Sequence, residues 1–205
     1  MRFSPDNIYH IYNQGNNRQK IFNTENDYLI FLTLYKRLFE NTVSTIAWCL
    51  MPNHFHFMIH TDERCLIKIK QGGITIDIIT NNLRKLLSGY ARIYNSKNGR
   101  TGSLFRQKTK STLLSDINAM TDTKNQNFNS YTNCFRYIHQ NPLRAKLVAN
   151  FKDWKFSSFC DYAGLRNGLL CKKELAALYC GFNPLDFIEK SHELVEEGII
   201  SHLKN

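Results

Sequence analysis

The chain of 205 residues lacks any apolar run of the roughly 18 residues that a membrane helix needs, so no span and no membrane anchor are expected. Its opening, Met1-Arg-Phe-Ser-Pro-Asp-Asn, has no apolar core of a secretory signal. No two of the six cysteines (Cys49, Cys65, Cys134, Cys160, Cys171 and Cys180) form a C-x-x-C pair, which removes zinc knuckles and thioredoxin-like motifs from consideration. Most of them sit in apolar runs, where a free thiol behaves as a small core residue. These absences together give the expectation of a reducing, cytoplasmic setting. No internal repeat or low-complexity tract is present. Acid is scarce as well: 17 Asp and Glu stand against 27 Lys and Arg, for a formal charge of +10 and a sequence pI near 9.4. A surplus of that size suits a polyanionic partner, since each phosphate neutralised releases condensed counterions. It also suits a merely soluble basic surface.

What is there alternates between two periods. Ile8 to Tyr12 reads as a strand ended by the turn-forming Asn13-Gln-Gly-Asn-Asn. Thr24, followed three residues later by Asp27, predicts a helix start, and Tyr28, Phe31, Leu32, Tyr35, Leu38 and Phe39 then recur at helical spacing to about Glu40. Val43–Leu50 and His54–His60 predict a hairpin joined by Met51-Pro-Asn. A helix is predicted from about Ile74 to Tyr94, an extended stretch from Ser103 to Leu114, an Asn- and Thr-rich loop over Thr121–Ser130, and a helix from Phe135 to Asn141 kinked at Pro142. The order β-α-β-β-α-β-α predicts a ferredoxin-like α+β fold, an antiparallel sheet with helices on one face. We divide the chain into a catalytic domain over 1–150 and a partly helical extension over 151–205 packed on it.

Two short stretches carry chemistry. In His54-Phe-His-Phe-Met-Ile, alternate strand residues share a face, so His54 and His56 project together while Phe55, Phe57 and Ile59 point away. If the aromatic side faces the helices, the imidazoles lie on the open face and can share a divalent ion. Any H-x-H on a solvated strand would look the same. His60 sits farther along that face, and His10 on the first strand lines it without a partner visible in sequence.

The second stretch is Phe135-Arg-Tyr-Ile-His-Gln-Asn-Pro-Leu-Arg. Residues four apart on a helix share a face, which aligns Tyr137 with Asn141. The carboxamide of Asn141 can complete a site begun by two imidazoles, leaving the Tyr137 phenol beside the ion. A phenol is a poor nucleophile until ionised, its ordinary pKa being about 10. Nearby positive charge from a metal, Arg136 or Arg144 would favour the phenolate. His139 lies about 200° around the helix from Tyr137 and is expected to pack or to bind water.

With both stretches in view, the chain resembles the REP-associated tyrosine transposases, a branch of the HUH single-strand transposases. The resemblance runs through Tyr9-His-Ile-Tyr-Asn-Gln-Gly-Asn-Asn-Arg-Gln, Leu50-Met-Pro-Asn-His-Phe-His and Arg136-Tyr-Ile-His-Gln-Asn-Pro-Leu-Arg-Ala-Lys-Leu-Val, and more weakly through Asp153-Trp-Lys-Phe-Ser-Ser. It implies a ferredoxin-like fold, metal ligation by His54, His56 and Asn141, Mg²⁺ or Mn²⁺ as the ion, and Tyr137 as nucleophile. It further implies a single-stranded or hairpin DNA substrate, a 5′-phosphotyrosine intermediate, no nucleotide cofactor, and a monomer or homodimer. The Asn-rich loop is longer than the family's usual connection, and the tail after Tyr162 carries no assignable motif.

Arg18, Arg106, Lys108, Lys110 and Arg144 are candidates for DNA phosphate contacts, and Tyr12, Trp48 and Phe105 for base stacking. Two other functions fit parts of the pattern. A non-catalytic single-stranded nucleic-acid-binding protein, domesticated from a transposase, would need the sheet but not the tyrosine. A metallohydrolase using water would need the histidines but not the tyrosine.

Overall fold

The computed structural model describes residues 2–115, 130–195, 200, 201 and 203. Strands β1 (Asn7–Gln14), β2 (Ser44–Met51), β3 (His54–Thr61) and β6 (Lys110–Leu113) form one sheet in the order β2-β3-β1-β6, with every neighbouring pair antiparallel. Helices α1 (Glu25–Phe39) and α2 (Ile78–Lys97) pack against each other over one face. That is the predicted α+β class, and it follows from the pattern in β3. Phe57 stacks on Tyr35 of α1 with ring centroids 3.7 Å apart, and Phe55 meets Phe31 at 5.2 Å. A strand whose alternate residues are aromatic buries that face against a helix.

The capping signal is realised at the start of α1. Thr24 and Asp27 form a reciprocal capping box, and Asp27 accepts the main-chain N–H groups of Asn23 and Thr24 at 2.9 and 2.8 Å. Its other oxygen takes Lys97 Nζ at 2.8 Å, tying the start of α1 to the end of α2.

Four details depart from the sequence-based expectation. First, the helix predicted from Ile74 starts at Ile78; before it, β4 (Lys68–Gln71) and β5 (Ile74–Asp77) form a separate hairpin. Gly72 and Gly73 supply the positive φ angles of its two-residue turn (57° and 79°). Asp77 then caps α2 by accepting Thr80 N–H at 2.7 Å. Second, only Lys110–Leu113 of the Ser103–Leu114 stretch is strand; before it the chain runs as a loop, with an isolated bridge from Phe105 to Gly15 just past the end of β1. Third, α3 spans Ser130–Arg144 and runs through Pro142. Proline deletes one hydrogen bond of the last turn, where the helix is ending anyway. The predicted loop over Thr121–Ser130 lies outside the described residues except for Ser130.

The fourth departure matters most. Helices do not cover one face alone: α3 packs on β2 and β3 from the side opposite α1 and α2. Residues of β2 and β3 are accordingly buried on both faces. The histidine face is therefore covered by a helix over His10 and His56, while His54 at the strand end stays half-buried.

The segment beyond Asn150 contributes the short helices α4 (Phe159–Tyr162), α5 (Lys173–Cys180) and α6 (Phe187–Lys190). It lines the outer edge of β2. Trp154 Nε1 donates to Leu50 O at 3.1 Å, Ser158 N to Trp48 O at 2.9 Å, and Lys172 N to Thr45 O at 2.8 Å. The Tyr162 hydroxyl donates to Ile46 O at 2.5 Å. These contacts occupy an edge strand that would otherwise offer its backbone to another chain. All six cysteines are free and buried. Among the described residues no helix is long and apolar enough to cross a membrane.

Candidate active site

The strand register dictates which side chains meet beneath α3. Cross-strand partners share a face, and Tyr12 lies opposite His56, His10 opposite Met58, and Gln14 opposite His54. Lys110 of β6 lies opposite Tyr12. One face thus collects His54, His56, His10, Tyr12, Gln14 and Lys110.

From above, Tyr137 of α3 enters the same space. Its ring centroid is 5.5 Å from His56 and 6.2 Å from His10, edge-on to both. Tyr137, His54 and His56 line one cavity of about 600 Å³ together with Tyr12, Asn13, Gln14, Arg18, Asn53, Arg106, Lys108 and Lys110. Four of the five sequence-predicted phosphate contacts therefore converge on the phenol and the imidazoles. The fifth, Arg144, is exposed and does not line the cavity, but its charge acts on the Tyr137 phenol.

Burial sets the electrostatics. Tyr137 is 2% exposed and His56 also 2%. Burial pushes the Tyr137 phenol well above its ordinary range; the Asn141 side chain and Arg144 pull it back, while Cys134 and Tyr12 add to the rise. A buried phenol without a compensating cation stays protonated.

The imidazoles are oriented by their second nitrogens. His54 Nδ1 lies 2.6 Å from Asn53 Oδ1. Asn53 Nδ2 donates to Arg18 O at 3.3 Å, which fixes the amide so that Oδ1 faces the ring. An amide oxygen only accepts, so a neutral His54 carries its proton on Nδ1, which leaves the lone pair on Nε2. His56 Nδ1 lies 2.9 Å from Nε2 of His10. Outer partners of this kind usually orient metal-binding histidines. Among the described residues no group of three or more His, Cys, Asp or Glu is gathered to hold a metal. Two imidazoles, with the carboxamides of Gln14 and Asn53 lining the same cavity, nevertheless fit a divalent ion that takes nitrogen and oxygen donors.

Several predicted residues have partners of their own. Asn141 does not line the cavity: its Nδ2 donates to the Tyr137 carbonyl at 2.8 Å, the normal reach of a side chain to the preceding helical turn. Its side chain also acts on the Tyr137 phenol, which lines the cavity. Arg136 points away and pairs with Glu193 at 2.6 Å, so it does not supply charge to the phenol. Trp48 and Phe105 are 3% and 5% exposed and serve the core; of the three proposed stacking residues only Tyr12 faces the cavity. His60 stacks on Tyr179 with centroids 5.7 Å apart. His139 packs among Phe135, Phe159, Tyr162 and Phe187 and meets Ser158 Oγ at 2.7 Å. Sequence reasoning missed Gln14 and Asn53. The signal was present for Gln14, two residues beyond Tyr12 on the same strand face.

The class of structure is thus a mixed α+β fold whose antiparallel sheet carries an H-x-H pair beneath a tyrosine-bearing helix. No family model matches the chain, and no curated protein matches it. A solved structure of a REP-associated tyrosine transposase bound to a REP hairpin is similar in fold, with a TM-score of 0.52 over 84% of this chain and 94% of that one. Sequence identity is 13%, so the likeness concerns the fold.

Proposed function

We propose that this chain is a metal-dependent endonuclease and transposase that cleaves and rejoins hairpin-containing single-stranded DNA through a 5′-phosphotyrosine at Tyr137. One observation carries the reading: the phenol of α3 and the histidine pair of β3 line one cavity with Arg18, Arg106, Lys108 and Lys110. The similar fold of a transposase that binds a DNA hairpin supports it.

His54 and His56 are the residues that would hold Mg²⁺ or Mn²⁺, each through Nε2. Such an ion supplies Lewis-acid neutralisation of a non-bridging phosphate oxygen and favours the phenolate. The cationic side chains draw the phosphodiester into the cavity and offset its charge. The Tyr137 oxygen attacks phosphorus, its proton passes to solvent, and the bond to the 3′ oxygen breaks. That oxygen leaves and takes up a proton as a 3′-hydroxyl. One phosphodiester replaces another, so rejoining by a 3′-hydroxyl needs no nucleotide cofactor. Burial keeps the phenol neutral until this environment forms, which protects it from idle reaction.

A second reading is favoured by the same burial. With Tyr137 and His56 only 2% exposed, a protein that binds single-stranded DNA without cutting it would look alike. Incubating the protein with Mn²⁺ and an end-labelled hairpin bearing a single-stranded flank separates the two. We expect a denaturation-resistant protein–DNA band that Tyr137→Phe abolishes while hairpin binding stays within a few-fold. Binding without any band supports the non-catalytic reading. Cleavage without a covalent band points to water as nucleophile. A band that survives in Tyr137→Phe moves the nucleophile to Tyr12, the other tyrosine in the cavity, and not to Tyr131, which packs against Tyr179.

A further inference from the structure

The contact between His10 and His56 has a direction, and that direction decides what His56 can bind. We infer that His10 is a positioning residue: it accepts the Nδ1 proton of His56, which fixes the tautomer in which His56 Nε2 keeps its lone pair for a metal ion. The inference rests on the endonuclease reading for its purpose, but its geometry stands without it.

Two neutral imidazoles at a nitrogen–nitrogen distance of 2.9 Å share one proton between the facing atoms. The rings are 11° from coplanar, with centroids 5.0 Å apart. Face-to-face rings with so short a nitrogen contact would have closer centroids, so these rings meet edge to edge, nearly in one plane. That is the arrangement in which an N–H of one ring points along the lone pair of the other. The register explains it: Tyr12 is directly opposite His56, and His10 is the diagonal neighbour two residues along, within reach of a ring.

Only two proton placements satisfy the contact. If His10 donates, His56 must carry its proton on Nε2, and that nitrogen cannot ligate a metal. If His56 donates, its Nε2 keeps a lone pair, matching His54, whose Nδ1 is already committed as a donor by Asn53. The second placement leaves the proton of His10 on Nδ1. This nitrogen closes no well-formed hydrogen bond among the described residues, but the Leu203 main chain acts on the ring as an acceptor. With Nε2 of His10 turned to His56, an acceptor on the ring is compatible with a proton on the other nitrogen, Nδ1, as the second placement requires. Both histidines of the H-x-H pair then present the same nitrogen, one held by an amide and the other by an imidazole. His10 is buried, 0% exposed, so water does not compete for its acceptor nitrogen.

The test reads the tautomer directly. Imidazole-¹⁵N NMR of the full chain without metal should show His56 protonated at Nδ1 and unprotonated at Nε2; protonation at Nε2 overturns the proposal, and this measurement needs no variant. Mn²⁺ affinity by calorimetry should fall about 10- to 100-fold in His10→Leu, the usual cost of losing such an outer partner. It should recover most of the way in His10→Gln, whose amide oxygen can accept the same proton. Equal affinity in His10→Leu and wild type also overturns it. Should the Nδ1 tautomer and the affinity pattern hold while no covalent DNA band forms, the endonuclease reading fails and the positioning role survives. Should a covalent band persist undiminished in His10→Leu, with His56 protonated at Nε2, the positioning role fails and the endonuclease reading survives.

Discussion

Acid should destabilise this fold before its carboxylates titrate, and His139 gives the cleanest measure of the effect. The ring is 1% exposed among aromatic side chains, and burial lowers its pKa to about 3. The unfolded chain has an ordinary imidazole near 6.5. Below that value the unfolded state takes up a proton that the native state refuses, so stability is complete above pH 6.5 and is lost as pH falls toward 3. Between pH 7 and pH 5 the difference amounts to about 2 kcal/mol for one such histidine. His10, also lowered to about 3 by burial with the Leu203 main chain working weakly against it, adds a similar amount. Urea unfolding of wild type and His139→Gln at pH 7, 6 and 5 isolates the contribution, because the other histidines cancel in the comparison. Wild type should lose about 2 kcal/mol more than the variant over that interval. Parallel losses in the two proteins would show that His139 ionises in place, and the burial argument would be wrong.

Two further outcomes test the cavity. The logarithm of DNA affinity should fall with the logarithm of salt, and replacing Arg106, Lys108 or Lys110 by Gln should reduce that slope by about 0.7 each for a single strand. Substituting Arg144, which lies outside the cavity lining, should leave the slope nearly unchanged; equal effects at all four positions would refute the assignment. Tyr137→Phe should abolish the covalent band with folding stability little altered, since its buried hydroxyl is the only group removed.

Much of this arrangement was legible because periodic signals do not depend on distant partners. Alternation in β3 placed His54 and His56 on one side and Phe55 and Phe57 on the other before any packing was known, and Thr24 with Asp27 announced α1. The β4–β5 hairpin left an ambiguous trace: Ile74, Ile76 and Ile78 alternate with period two, and Gly72-Gly73 is a turn signal, yet the same isoleucines also fit the start of a helix. What could not be read were contacts between residues far apart in sequence. Nothing near Arg136 announces Glu193, and nothing near His10 announces His56. Asn141 shows a subtler limit. Helical spacing correctly put it beside Tyr137, but a short carboxamide there can bond the carbonyl of the preceding turn, and spacing says nothing about which partner it takes. The second helical layer was invisible for a related reason: a strand that alternates aromatic and histidine residues looks half-exposed, although here α3 covers the histidine side.

The same covering layer raises the question of what holds α3 over the sheet, and the answer leads to a final test. Arg136 and Gln140 are four residues apart and share a face, turned from Tyr137 by about 100° and 60° in the same sense. Gln140 Nε2 donates to both Ser191 O and Glu193 O, at 3.0 and 2.6 Å, while Arg136 pairs with the Glu193 carboxylate. Glu193 is 51% exposed at its side chain, so water screens the ion pair, which contributes about 0.5 kcal/mol. The buried amide matters more, because removing it leaves two carbonyls without their donor at a cost of about 2 kcal/mol. Gln140→Leu should therefore loosen the chain at 191–193 from α3, and Arg136→Ala should do so only slightly. Hydrogen exchange reads this at Ser191, His192 and Glu193, whose amides bond Phe187, Glu189 and Lys190. A loss of about 2 kcal/mol corresponds to exchange about 30-fold faster. If Arg136→Ala speeds exchange as much as Gln140→Leu, the exposed ion pair and not the buried amide holds this segment, and the ordering derived from burial is wrong.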